Sequence, residues 1–163
     1  MCGISGLWFG TKTEEEILQR YGLQMSNNLY KRGPDSGGIW SDPNLGIVLS
    51  HRRLSIRDLT LNGSQPMVSS NENYIIIFNG EIYNFELLRS ELKNHKWRGF
   101  SDTEVLLHAI QVWGLEKTLK KCYGMFAFAL WNKKEKKLIL AKDRFGQKPL
   151  YWGRVKLQDF ENP

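Results

Sequence analysis

Cysteine is scarce. The 163-residue chain has two, Cys2 and Cys122, and no Cys-x-x-Cys pair. That excludes a disulfide framework and a cysteine-based structural zinc site. Long apolar runs are missing too: none approaches the ~18 residues of a membrane-spanning helix. The N-terminus lacks the basic-then-apolar pattern of a signal peptide. These absences predict a cytoplasmic, reducing setting without membrane contact, where a thiol at residue 2 stays usable. There is no repeat, no low-complexity tract and no internal linker. No Walker A sequence is present, so no nucleotide site is expected. The 3 histidines, His51, His95 and His108, show no metal-ligand spacing, and no metal site is expected.

What is present suits one domain over residues 1–163. The chain is 41% hydrophobic, with 8 Phe, 6 Trp and 6 Tyr, enough for a sizeable core. Its net charge of +6 raises the question of nucleic acid. The basic residues are dispersed, however, and the one dense run, Lys133 to Lys137, lies between two apolar strand-like stretches. A solvated hairpin turn accounts for it. No basic recognition helix or basic-aromatic sheet motif is seen, so no nucleic-acid partner is expected.

Cys2 to Phe9 reads as a strand. Thr13-Glu14-Glu15-Glu16 reads as a capping box with Thr13 as N-cap. It predicts a helix to about Tyr30, against which Gly22 counts. Arg32 to Gly38 reads as a loop by its glycine and proline content. Ile47 to Ser50 and Tyr74 to Phe78 read as strands. Asn84 caps a predicted helix, and Ser101-Asp102-Thr103-Glu104 is a second capping box before Val105, Leu106, Ala109, Ile110 and Trp113 at helical spacing. Met125 to Trp131 is a continuous apolar run, a strand covered on both faces. Leu138 to Ala141 pairs with it, and Pro149 to Gly153 gives one more strand. Hairpin-length connections and segregated helices predict an α+β fold with antiparallel sheet. The tail from Arg154 to Pro163 ends without a helix terminator and reads as the end of a piece cut from something longer.

The chemistry begins at Met1-Cys2-Gly3. A small residue at position 2 permits removal of Met1, leaving Cys2 with a free α-amino group of pKa ~8 that can take the thiol proton. Taken alone, this favours an incidental buried cysteine in the first strand. Four further segments change the odds: His51-Arg52-Arg53-Leu54-Ser55-Ile56, Asn79-Gly80-Glu81-Ile82-Tyr83-Asn84, Ser101-Asp102, and Asp143 to Tyr151. With Cys2 they stand in the order and at the spacing of a family that the chain resembles, the N-terminal glutaminase domain of glutamine-hydrolysing asparagine synthetase. That domain is a class II glutamine amidotransferase of the N-terminal nucleophile hydrolase type. The resemblance covers Cys2 to about Tyr151.

The resemblance implies a four-layer αββα sandwich of two antiparallel sheets. It implies that Cys2 attacks the carboxamide of L-glutamine to give a γ-glutamyl thioester, with Asn79 and Gly80 as the oxyanion hole. Arg53 would hold the α-carboxylate, and Asp102, with Glu81 as second acid, the α-ammonium. Leu54, Ser55, Ile56, Arg57 and Ser101 would shape the pocket. Without the family, Asn79-Gly80 reads as an ordinary turn and Asp102 as a common helix-start acid. Arg32 to Asp35 and Asp143 to Tyr151 are expected to be scaffold, the latter ordering the core and facing a second domain. Cys122 and His108 are expected to be structural. In a full-length protein, ammonia would reach a synthetase domain in cis that uses ATP and Mg, absent here along with a closing strand and helix. Homodimerisation of such a protein is compatible with the family. Ser36-Gly37-Gly38 resembles part of that domain's pyrophosphate loop, but Ile39-Trp40 follow it. Two rivals stay open: an asparagine-synthetase-like amidotransferase acting on a sugar acid, antibiotic precursor or peptide, and a non-catalytic binding module.

Overall fold

The computed structural model describes residues 2–56 and 58–154. Met1, Arg57 and the 155–163 tail lie outside the described residues, so the expectations for Arg57, for the removal of Met1 and for the tail fall there. One sheet contains β1 (Gly3–Trp8), β3 (Ile47–Arg53) and β2 (Ser36–Asp42), in that order. The other runs β4 (Met67–Val68), β5 (Tyr74–Ile82), β6 (Gly124–Asn132), β7 (Lys137–Lys142). Every strand pairing is antiparallel.

The two sheets face one another, and helices cover the outsides. Helix α1 (Glu15–Asn28) packs on β1, β2 and β3. On the far side α3 (Asp102–Trp113) packs on β5, flanked by α2 (Phe85–Glu91) and α4 (Leu115–Lys121). This is the expected αββα sandwich. Strand alternation decides which core each residue joins. Ile47, Leu49, Ile75, Ile77, Ala129 and Trp131 meet between the sheets. Ile76, Phe78, Phe126, Phe128 and Leu130 point the other way, onto Leu88, Val105, Leu106 and Ile110 of the helices. The apolar run in β6 is thus buried on both faces, as its composition predicts. Gly22 does not interrupt α1; a Cβ there would press on Ile39 and Val48 at 2.8 Å, so its absence lets the helix lie close to the sheet.

Several local expectations are corrected. Helix α1 begins at Glu15, and Thr13 makes no capping bond; its hydroxyl donates to the Thr11 carbonyl at 3.0 Å. Ser36-Gly37-Gly38 is not loop but the start of β2, laddered against β3. Pro149 to Gly153 forms no strand. Strands β3 and β5 run further than their apolar stretches, taking in His51 to Arg53 and Asn79 to Ile82. The Ser101 box is half formed. Ser101 Oγ accepts from the Glu104 amide at 3.2 Å, but the Glu104 carboxylate accepts instead from the Arg98 and Gly99 amides, at 2.9 and 3.0 Å. Ser101→Ala should therefore lower stability by about 1 kcal/mol, read as a reduced urea midpoint with an unchanged m-value.

Candidate active site

The inner faces of β1, β3 and β5 change character toward one end of the sandwich. On β3 the inward series is Ile47, Leu49, His51, Arg53; on β5 it is Ile75, Ile77, Asn79, Glu81. Cys2 precedes Gly3 on the face that Ile4 shares with the core between the sheets. Apolar residues hold the sheets together along most of their length, and polar ones take over at this end. There a cavity opens, lined among others by Cys2, Arg53, Leu54, Ile56, Asn79, Gly80, Glu81, Ser101 and Asp102. Residues from four separate segments of chain therefore meet. Ser55 stands apart from this lining, its amide donating to Asp35 Oδ2 at 2.7 Å.

Cys2 is half-buried. Its Sγ lies 3.4 Å from the Leu54 amide, which donates to it, and 3.7 Å from the Leu54 carbonyl. Its own carbonyl accepts from Arg32 Nε at 3.1 Å. The Arg32 to Asp35 loop is thus scaffold around the nucleophile candidate: Asp35 N donates to the Arg53 carbonyl at 3.1 Å, and Arg52 Nε donates to the Gly33 carbonyl at 2.9 Å.

The Asn79-Gly80 pair sits inside β5, paired with Ala127 and Phe126. A side chain at Gly80 would overlap the β6 backbone at Met125 and Phe126. The glycine is therefore demanded by the neighbouring strand. Along β5 the amides alternate in direction. Phe78 N donates to Gln65 Oε1 at 2.6 Å, and Ile82 N to Asp102 Oδ2 at 2.9 Å. The Phe126 amide and carbonyl, opposite Gly80, bond to Asp143 and not to β5. The alternation sends the Gly80 N–H to the same edge as those of Phe78 and Ile82, the edge that borders the cavity.

The clamp candidates are buried. Arg53 is 8% exposed, and its guanidinium donates to the carbonyls of Thr60, at 2.7 Å, and Asp58. Asp102, also 8% exposed, is the first residue of α3, where the helix dipole favours a carboxylate.

Seven lining residues are not among the predicted site residues: Asp58, Gly63, Gln65, Phe78, Thr103, Met125 and Lys148. Gln65 bridges the site, accepting from Phe78 N while its Nε2 donates to Thr103 Oγ1 at 3.2 Å. Lys148 belongs to the segment expected to stay clear of the chemistry, yet it is buried on the cavity wall. Asp143 holds that segment in place. Its carboxylate accepts from the amides of Phe126, Phe145, Gln147 and Lys148. Asp143 and Lys148 lie in a segment that carries a family signal; Asp58 and Gln65 gain meaning from contacts distant in sequence.

His51 is fully enclosed, with Nε2 3.2 Å from the Phe78 carbonyl. Burial lowers its pKa to about 4; the Phe78 bond opposes this, and the Arg53 and Arg52 charges add to it. The unfolded chain, with an ordinary histidine pKa of ~6.5, binds more protons between those values. Stability is therefore full above pH ~6.5 and declines as pH falls toward 4. His51→Gln, which keeps the donor to Phe78, should flatten that decline in urea midpoints measured from pH 7.5 to 4.5.

Ser36-Gly37-Gly38 is committed to the β2–β3 ladder, and a side chain at Gly38 would overlap the Gln65 carbonyl, so packing explains that glycine. Among the described residues, no helix is long and apolar enough to cross a membrane.

The chain is 43% identical over 162 residues to asparagine synthetase [glutamine-hydrolyzing] 1 of Bacillus subtilis, covering 95% of this chain and 24% of that protein. It is 38% identical over 154 residues to asparagine synthetase B [glutamine-hydrolyzing] of Escherichia coli, covering 94% and 27%. The chain thus spans about a quarter of the length of these relatives. Among solved structures, a glutamine phosphoribosylpyrophosphate amidotransferase from B. subtilis, complexed with ADP and GMP, superposes with a TM-score of 0.69 at 20% identity. That match covers 88% of this chain and 37% of the other, and it supports the fold alone. The family model described as glutamine amidotransferase domain matches residues 1–161, and with the fold and the cavity it places this chain in the glutamine amidotransferase domain family.

Proposed function

We propose that this chain hydrolyses L-glutamine to L-glutamate and ammonia, with Cys2 as nucleophile. The observation that carries this reading is the meeting in one cavity of Cys2, the Asn79-Gly80 pair, and a buried cation and anion, Arg53 and Asp102. A zwitterionic amino acid needs both charges, and an amide under attack needs the first three groups.

Removal of Met1 frees the α-amine of Cys2, which takes the thiol proton. The sulfur adds to the side-chain carboxamide carbon, and negative charge moves to its oxygen. Asn79 Nδ2 and the Gly80 N–H stabilise that oxyanion. Collapse of the adduct breaks the C–N bond. The nitrogen leaves as ammonia with the proton from the amine, and a γ-glutamyl thioester remains. Water, deprotonated by the same amine, adds to the thioester and releases glutamate and the thiol. Arg53 can receive the α-carboxylate through N–H groups beyond the two that hold Thr60 and Asp58. Asp102 and Glu81 receive the α-ammonium.

In the full-length protein the ammonia would serve a synthetase domain in cis, with ATP and Mg bound there. The names of the matching B. subtilis and E. coli proteins, glutamine-hydrolysing asparagine synthetases, favour aspartate as the acceptor over a sugar acid or peptide.

The glutamine-like electrophile 6-diazo-5-oxo-norleucine tests the reading. It should add once, at Cys2, in protein whose intact mass shows Met1 removed, and glutamine should protect. Cys122 should stay unlabelled, because burial raises its thiol pKa to about 11, an effect that Arg144 only partly opposes. Label found on Cys122 and not on Cys2 would sink the assignment.

A further inference from the structure

We propose that Asp58 is a positioning residue that locks the two halves of the amino-acid clamp to one another. The proposal rests on the glutaminase reading above and extends it to a residue that contacts neither the thiol nor the amide. Asp58 lies in the irregular segment after β3 and is 6% exposed. One oxygen, Oδ1, accepts from Thr60 N at 2.9 Å and Thr60 Oγ1 at 2.6 Å. The other, Oδ2, accepts from Phe100 N at 2.9 Å, across 42 residues of sequence.

These bonds join the supports of both charges. Arg53 donates to the carbonyls of Thr60 and of Asp58 itself, so the turn that the Asp58 carboxylate closes is the turn that holds the guanidinium. Phe100 immediately precedes Ser101 and Asp102, whose carboxylate supports β5 at Ile82. The 98–100 turn is already fixed to α3 by Glu104, and Arg89 Nη1 donates to the Gly99 carbonyl at 2.9 Å. Asp58 therefore connects one rigid body, containing Asp102, to a second, containing Arg53. Without that connection the separation between cation and anion would fluctuate, and a ligand that must touch both would bind more weakly. Burial raises the Asp58 carboxyl pKa, but the Thr60 and Phe100 donors and the Arg53 charge outweigh it and hold the group below the ordinary aspartate value.

Asparagine cannot replace Asp58, because a carboxamide offers one acceptor oxygen and turns its NH2 toward a donor on the other side. Gly99→Ala attacks the same bond from the other side. A Cβ there would overlap Asp58 Oδ2, with no atom of Arg53 or Asp102 altered.

The test uses the processed protein and both variants, Asp58→Asn and Gly99→Ala. The KM for glutamine should rise ~10-fold or more with kcat within ~3-fold, the pattern of lost binding and not lost chemistry. Half-saturation for 6-diazo-5-oxo-norleucine labelling should rise in parallel. Alkylation of Cys2 by iodoacetamide, which carries no α-groups, should keep its rate within ~3-fold, a readout that general damage to the site would move. An unchanged KM, or a fall in kcat and in iodoacetamide reactivity together, would overturn the proposal. Where Asp58→Asn fails to fold by circular dichroism, Gly99→Ala and Thr60→Val decide. A wild type that neither turns over glutamine nor takes the diazo label would refute the glutaminase reading itself. Amide exchange at Thr60 and Phe100 then judges the lock: unchanged protection in Gly99→Ala refutes it, and faster exchange at both sustains it.

Discussion

Replacing Cys2 with alanine should reduce glutamate release from glutamine by ~10⁴-fold or more, to the background set by binding and the oxyanion donors. No neighbour can substitute. Cys122 is buried at the C-terminal end of α4, and its thiol stays protonated at neutral pH. The loss should appear entirely as chemistry. Cys2 is half-buried and its sulfur makes one accepted bond, from Leu54 N, so removing it disturbs little packing. Urea midpoints of Cys2→Ala and wild type should agree within the error of the method. Glutamate production that survives the substitution would end the mechanism. The same assay on protein retaining Met1 should read near zero, since an acylated nitrogen cannot accept the thiol proton.

Asn79→Ala should lower kcat by 10²- to 10³-fold while KM moves only a few-fold, the mark of an interaction made in the transition state. The geometry supports a clean experiment. Asn79 is 4% exposed and inward-facing, and its backbone is fixed by pairing with Ala127. Alanine keeps that backbone and deletes only the donor. A KM that rises with kcat unchanged would instead place Asn79 in ground-state binding, leaving the oxyanion to Gly80 alone.

Much of this was visible in the residues. The apolar periodicity of β6, α3 and the two cores is strong enough to identify the layers, and Ser101-Asp102 marks a helix start from local chemistry alone. The errors share a cause. The predicted strands stop at Ser50 and Phe78 because the residues that follow are polar, and Asn79-Gly80 reads as a turn, yet His51 to Arg53 and Asn79 to Ile82 continue β3 and β5. Strand prediction assumes that inward positions are apolar, and a polar site built between two sheets breaks that rule at its own location. Ser36-Gly37-Gly38 misled for the opposite reason: small residues chosen for close packing resemble a flexible loop. Asp58 and Gln65 carry no local pattern, since each matters through a partner far along the chain; Lys148 lies in a recognised segment that the resemblance assigns to scaffold and not to the cavity wall. Thr13 shows the limit of a motif, for its neighbours satisfy the capping rule while the Thr11 carbonyl takes its hydroxyl.

The position of Asn79 and Gly80 within a ladder has an effect on quality control. Slipping β5 by one residue against β6 would turn Asn79 toward the helices and point the Gly80 amide into the pairing edge, erasing both proposed oxyanion donors at once. A loop-borne site could survive such an error; this one cannot. Under the proposed mechanism a misregistered molecule would be silent, unable to release free ammonia from a misfolded sandwich, and chemical competence would certify that the strands have found their proper partners.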